Sequence, residues 1–222
     1  MNRLVIAIDG PSGSGKSTVG KALARELGSL YIDSGAVYRS VGLRALETNT
    51  SLDDIESIVE LARSSRIKLE GDPDHLRVRL NEVDVTSRIR QPDASHAASV
   101  VATIQGVRDA VVDNLREMAR TGGVVMDGRD IGTKVFPHAD IKIFLDASLD
   151  VRARRRCEEE TARGRNVTVE RTKIELADRD KRDSERAATP LVKAADAIFI
   201  DTSELTLDAV IERALEIVRT RS

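Results

Sequence analysis

Short apolar runs recur along the chain at Leu4-Val5-Ile6-Ala7-Ile8, Leu30-Tyr31-Ile32, Val124-Val125-Met126, Ile141-Lys142-Ile143-Phe144-Leu145 and Ala197-Ile198-Phe199-Ile200. The first is uninterrupted, the pattern of a strand buried on both faces of a parallel sheet. Between the runs the apolar period lengthens. Val19, Ala22, Leu23 and Leu27 recur at helical spacing and stop at Gly28, and Leu207, Val210, Ile211, Ala214, Leu215 and Val218 make one stripe behind Thr206, a suitable N-cap. This alternation predicts an α/β fold, a five-stranded parallel sheet with helices on both faces.

Residues 66–90 break that rhythm. Ile67-Lys68-Leu69, Leu76-Arg77-Val78-Arg79-Leu80 and Val83-Asp84-Val85 alternate apolar and polar around turn material at Gly71-Asp72-Pro73 and Asn81-Glu82, which predicts a small antiparallel sheet carried as an insertion. The helix before it is expected to open at Ser51, with Asp54 three residues on in a capping-box arrangement. A long arginine-rich stretch follows the fourth run. Ser148 caps a helix bearing Arg152, Arg154, Arg155 and Arg156, Arg163-Gly164-Arg165 follows, and a second helix carries Arg179, Arg182 and Arg186 interleaved with Asp178, Asp180 and Asp183. Two helices hinged at a glycine suit a lid; taken alone, the stretch reads equally as a charged surface hairpin. The expected organisation is one domain over 1–222, with a core of 1–65, 91–148 and 187–222, the β insertion at 66–90, and a lid with adjoining helices at 149–186.

Composition narrows the function classes. With 222 residues and 41% hydrophobic content the chain can bury a real core, and a net charge of −2 gives no general attraction for polyanions. Aromatics are 2% of residues, too few for base-stacking platforms, so recognition is expected to be polar. No secretory pattern opens the chain and no apolar run approaches the ~20 residues of a membrane span. The expectation is a cytoplasmic protein that binds neither membrane nor nucleic-acid polymer. The single cysteine, Cys157, excludes an intrachain disulfide and reads as a packing residue. His75, His96 and His138 are isolated, without metal-site spacing, and read as surface or turn residues.

The strongest chemical signal is Gly10-Pro11-Ser12-Gly13-Ser14-Gly15-Lys16-Ser17, which fits GxxxxGK(S/T) between a strand and a helix. Such a loop aims backbone N–H groups and a positive helix end at one point, where polyphosphate can sit. Lys16 would reach the β and γ phosphates and Ser17 would ligate Mg²⁺. Carboxylates Asp9, Asp33, Asp127, Asp146 and Asp201 close the apolar runs. Ligands in such sheets bind beyond the carboxyl ends of the strands, which singles out Asp33 and Asp127; Asp146 and Asp201 read equally as turn residues. Asp127 is a candidate to act on Mg²⁺ through water, and Asp130 is its rival. Asp33-Ser34-Gly35-Ala36-Val37-Tyr38-Arg39 and Asp127-Gly128-Arg129-Asp130 each set an arginine beside a helix start or turn on the phosphate-loop side of the sheet. Arginines on a closing lid would offset charge in a phosphoryl-transfer transition state, and closure would exclude water.

Together IDGPSGSGKST, DSGAVYR, DGRDIGT, VFPHADIKIFLDAS and RDKRDSERAATPLVKAADA resemble, in order and across essentially the whole chain, the bacterial cytidylate kinases. The resemblance implies a P-loop kinase fold in which the small sheet is the monophosphate-binding insertion. It implies Mg²⁺-dependent transfer of the ATP γ-phosphate to CMP or dCMP by a monomer. The phosphate-loop residues Gly10, Pro11, Ser12, Gly13, Ser14, Gly15, Lys16, Ser17 and Thr18 would bind ATP. Ser34, Tyr38 and Arg39 would face the acceptor nucleotide, with Arg39 on its phosphate, and Ser99 and Arg108 would read the cytosine edge. Arg129 and Arg186 would hold the acceptor phosphate with Asp130 orienting them, Arg179 with Asp183 would meet the ribose, and Arg152, Arg155 and Arg156 would approach ATP. A nucleotide-operated switch shares the loop and sheet, but no NKxD guanine-reading motif is present. A non-catalytic ATP binder and a kinase for another small acceptor, such as uridylate or a non-nucleotide hydroxyl, are the remaining alternatives.

Overall fold

The computed structural model describes residues 4–186 and 189–221; Ala187 and Ala188, inside the C-terminal motif, lie outside the described residues. Along the chain run β1 (Val5–Asp9), α1 (Lys16–Leu27), β2 (Leu30–Asp33), α2 (Ser34–Glu47) and α3 (Ile55–Ser64). The insertion follows as β3 (Ile67–Glu70), β4 (Arg77–Leu80) and β5 (Val83–Asp84), and then a single 3₁₀ turn (Arg88–Arg90). Next come α4 (Pro92–Val101), α5 (Gln105–Met118), β6 (Val124–Gly128) and a π turn (Ile131–Val135). The remainder is β7 (Ile141–Asp146), α6 (Leu149–Ala162), α7 (Val169–Glu185), β8 (Ile198–Asp201) and α8 (Leu207–Arg221).

The main sheet is parallel with strand order β2-β6-β1-β7-β8, and β3-β4-β5 form a separate antiparallel sheet. Strand register aligns the carboxyl ends: Asp33 pairs with Asp127, and Asp9 with Gly128. Alternation along β1 explains the three-layer build, because Ala7 packs into the layer of α2, α3 and α5 while Ile6 and Ile8 pack into the layer of α1 and α8. Burying both faces requires the near-continuous apolar runs seen in the sequence. Gly42 lets α2 and α4 approach closely, since a Cβ there would lie 2.7 Å from the Ala98 nitrogen. The tip of the insertion crosses to the other layer, where Leu76 joins the apolar cluster around α1 and Asp74 pairs with Arg25.

Local chemistry departs from expectation in two places. The cap of α3 is Asp54, whose Oδ1 accepts from the Ser57 amide at 3.1 Å, whereas Ser51 accepts from Asp53 N within the preceding turn. A carboxylate immediately before the first helical residue reaches the orphan N–H that Ser51, four residues upstream of Ile55, is too far away to meet. Arg186 lies one residue beyond the end of α7 rather than within it. Elsewhere Ser148 and Thr206 cap α6 and α8 through the Val151 and Ala209 amides, and Gly164 (φ +78°) makes the turn between α6 and α7. Asp146 and Asp201 accept from the amides of Ala147 and Ser203, the turn role.

Candidate active site

Glycine conformations build the phosphate loop. Gly10, Gly13 and Gly15 have φ of +148°, +81° and +93°, and a Cβ on Gly10 would sit 1.9 Å from the Leu145 carbonyl oxygen, an impossible contact. Lys16 folds back over the loop, with Nζ donating to the Pro11 carbonyl at 2.5 Å and to Ser14 Oγ at 3.4 Å. Burial, then the Arg129 guanidinium, pull the lysine down to about 7. Ser17 Oγ donates to Asp127 Oδ2 at 3.0 Å, and Tyr31 donates from the far side to Asp127 Oδ1 at 2.6 Å. Burial, then neighbouring Asp33, push Asp127 up to about 6. Two hard oxygen donors on one spot suit Mg²⁺, which takes one or two protein ligands and completes its shell from phosphates and water. No cluster of three or more metal-ligating side chains exists among the described residues, as such a site requires none.

Across the cavity, side chains do the work. Asp33 caps α2 through the Ala36 amide at 3.1 Å and accepts from Arg39 Nη2 at 2.6 Å. Burial opposes its charge, yet Arg39 holds the carboxyl below its ordinary value. Ser34 Oγ donates to the Asp127 carbonyl at 2.7 Å, a contact possible because residue 128 is glycine: a Cβ there would lie 2.5 Å from that hydroxyl. Arg129 Nε donates to Asp183 Oδ2 at 2.9 Å, and Arg186 Nη1 stands 3.9 Å from the other Asp183 oxygen. Arg129 and Arg179 hold Asp183 below its usual range despite burial. Arg179 is pulled down to about 10 by burial and by Arg129.

Arg108 is the largest fully buried side chain; it pairs with Asp130, donates to the Ala102 carbonyl at 3.0 Å and lies 5.5 Å over the Tyr38 ring. On the neighbouring helix α4, Ser99 Oγ is buried with no partner among the described residues and lines the same cavity. Arg39 Nε, Arg179 Nε and Arg186 Nη2 are likewise buried and unpartnered among the described residues. A buried donor without an acceptor costs about 1–3 kcal/mol, so the cavity has a standing deficit of anions.

One cavity therefore joins Lys16, Ser17 and Thr18 with Ser34, Tyr38, Arg39, Ser99, Arg108, Asp127, Arg129, Asp130, Arg179, Asp183 and Arg186. Ser12, Gly13 and Gly15 line it as well, whereas Gly10, Pro11 and Ser14 form the back of the loop. Of the three lid arginines expected near ATP, only Arg156 reaches the cavity. Arg152 is spent on the Ala147 and Ser12 carbonyls and on Asp180, and Arg155 places both terminal nitrogens on Thr202. These two pin the root of α6 to the phosphate loop and to the end of β8. Asp130, expected to orient Arg129 and Arg186, instead pairs with Arg108; the carboxylate on Arg129 is Asp183. Sequence reasoning missed Ser95, Ala98 and Ala102, which with Ser99 give α4 a small-residue face toward the cavity, and missed Glu159. Their helical spacing was visible, but small residues carry no signature of a ligand.

A family model described as cytidylate kinase matches residues 6–220. A cytidylate kinase of Geobacillus sp. (strain WCH70) is 47% identical over 99% of this chain and 98% of its own length. Another, from Caldanaerobacter subterraneus subsp. tengcongensis, is 50% identical over 96% of this chain and 94% of its own. Among solved structures, an uncharacterized protein from Eubacterium ventriosum ATCC 27560 superposes with a TM-score of 0.56 over 98% of this chain and 99% of its own, at 16% identity, a likeness of fold.

Proposed function

The chain belongs to the cytidylate kinase family, and from that premise we propose that its cavity carries the transfer of the ATP γ-phosphate to CMP or dCMP, yielding ADP and CDP or dCDP. The observation that carries this reading is the set of buried guanidinium nitrogens of Arg39, Arg179 and Arg186, unpartnered among the described residues, opposite a phosphate loop. Two phosphate groups, one from each nucleotide, satisfy both sides at once.

In this reading Lys16 leaves the Pro11 carbonyl for the donor phosphates and regains full charge beside them. Arg39, Arg129 and Arg186 hold the acceptor phosphate in line with the donor, and Asp183 keeps Arg129 aimed while meeting the ribose with Arg179. Ser99 and Arg108 face the cytosine edge, which presents an amine donor beside ring and carbonyl acceptors; Asp130 and Tyr38 hold Arg108 for that task. Arg156 is the lid cation that offsets transition-state charge, while Arg152 and Arg155 anchor the lid. Ser17 and Asp127 are the residues that would hold Mg²⁺, which when bound neutralises charge on the phosphates. No side-chain nucleophile is needed, because the acceptor phosphate itself attacks. All of these residues come from one chain, which supports a monomer as the active unit; its elution volume in size-exclusion chromatography tests that. No helix among the described residues is long and apolar enough to cross a membrane.

The experiment is a panel of CMP, dCMP, UMP and AMP with Mg-ATP, followed by ADP release. CMP or dCMP should be the best acceptor. Equal or faster turnover of UMP or AMP overturns the base reading, and ATP binding without ADP release on any monophosphate overturns the transfer.

A further inference from the structure

We infer that Tyr31 is a positioning residue for the cation end of the donor site, setting the orientation of the Asp127 carboxylate that faces Ser17. The inference rests on the reading of Ser17 and Asp127 as the Mg²⁺ ligands. Tyr31 sits inside β2, pairs in register with Val125 on β6, and is 2% exposed. It does not line the cavity, so it touches neither nucleotide and can act on the reaction only through what it holds.

What it holds is one oxygen of Asp127. The phenol donates to Oδ1 at 2.6 Å while Ser17 Oγ donates to Oδ2 at 3.0 Å, so each carboxylate oxygen has a separate side-chain donor. With a donor on each oxygen the carboxylate is restrained from rotating about its Cβ–Cγ bond, and Oδ2 is held beside Ser17 toward the cation position. The ring is itself locked. It lies against α1 where residue 20 is glycine, and a Cβ there would meet Tyr31 Cε2 at 2.9 Å and Ile8 Cδ1 at 3.6 Å. Gly20 thus opens the slot that lets a tyrosine from β2 reach beneath the phosphate loop. Phenylalanine would fill that slot equally well and hold nothing, which isolates the hydroxyl as the functional part.

The test is Tyr31→Phe with Asp127→Asn beside it, each compared with the parent in two readouts. One is the Mg²⁺ half-saturation of transfer at fixed ATP and CMP. The other, without turnover, is the gain in ATP affinity on adding Mg²⁺, measured by calorimetry. Tyr31→Phe should raise the half-saturation about tenfold and reduce the Mg²⁺-dependent gain in ATP affinity to match, as outer-sphere partners of metal ligands do. Its KM for CMP and its ATP affinity without Mg²⁺ should stay at parent values. Unchanged Mg²⁺ dependence in Tyr31→Phe, with a raised value in Asp127→Asn, overturns the role of Tyr31, as does a lowered melting temperature alone. Unchanged Mg²⁺ dependence in both variants overturns the metal reading of Asp127 itself.

Discussion

The donor half of the cavity is built from eight consecutive residues, 10–17, whereas the acceptor half draws on α2, α4, α5, the end of β6 and the lid. The phosphate loop presents backbone amides held open by three glycines beside a buried lysine, Lys16. The acceptor half gathers guanidiniums from Arg39, Arg108, Arg129, Arg179 and Arg186 and sets Asp33, Asp130 and Asp183 among them. Backbone donors need no counterions when the site is empty, because a helix end is a dipole rather than a net charge. Burial, and after it repulsion from Arg129, lowers the proton affinity of Arg179, and the carboxylates keep the repulsion between guanidiniums in check. The arginine-lined half, made of adjustable side chains, is where selectivity can be set.

Replacing Lys16 with alanine breaks the comparison most severely, since the donor half loses its one cation. The expected fall in kcat/KM is at least about 10³-fold, with a melting temperature displaced by no more than about 4 °C. Retained turnover would remove the lysine from the transfer. Arg129→Ala attacks the other half and leaves Asp183 unpaired. It should lower kcat/KM for CMP by about 100-fold, the cost of breaking a buried charge pair, with KM for ATP unchanged. Steady-state kinetics with each substrate varied in turn decides this, and an equal effect on ATP would erase the division of the cavity into halves. Ser99→Ala deletes a buried hydroxyl that has no partner among the described residues. KM for CMP should rise about tenfold and the preference for CMP over UMP should shrink; an unchanged preference means that Ser99 does not read the base.

The smallest expected effect on turnover comes from Asp9→Asn. Asp9 ends the strand that feeds the phosphate loop and accepts from the Ile131 and Gly132 amides at 2.8 and 2.7 Å, tying the acceptor loop to the donor strand. Burial pushes this carboxyl up to about 6. The folded chain then holds more protons than the unfolded one between about pH 4 and 6, so this group's contribution to stability declines as pH rises through that window, by up to about 3 kcal/mol. Urea unfolding at pH 4.5, 5.5 and 6.5 should show a steeper decline in the parent than in the variant, which keeps the like contribution of Asp127. Equal slopes in the two proteins would mean that Asp9 titrates as an ordinary surface carboxylate.

Much of this is legible in the sequence. The five apolar runs became the five strands of the main sheet, the alternating stretch at 66–90 became β3 to β5, and Gly164 marks the turn between α6 and α7. The phosphate loop was equally visible, because its shape follows from glycine positions within eight residues and needs no distant partner. The ion-pair map was not. Arg152 and Arg155 looked like Arg156 in sequence, yet packing of α6 on the phosphate loop and β8 turned them to backbone carbonyls, Asp180 and Thr202. Asp130 lies beside Arg129 in the chain and pairs with Arg108 instead, because the turn after β6 carries its side chain toward α5. Tyr31 read only as an apolar strand residue until β2 and β6 lay side by side.

Hydrophobic period and glycine placement, properties of near neighbours in the chain, were enough to determine the layers of this protein and its cradle for polyphosphate. Which guanidinium meets which carboxylate, and which hydroxyl supports Asp127, was decided only by the tertiary structure. The Arg108–Asp130, Arg129–Asp183, Tyr31–Asp127 and Ser17–Asp127 choices are made between residues 22 to 110 positions apart, whose separation in space depends on strand order and helix packing rather than on local pattern.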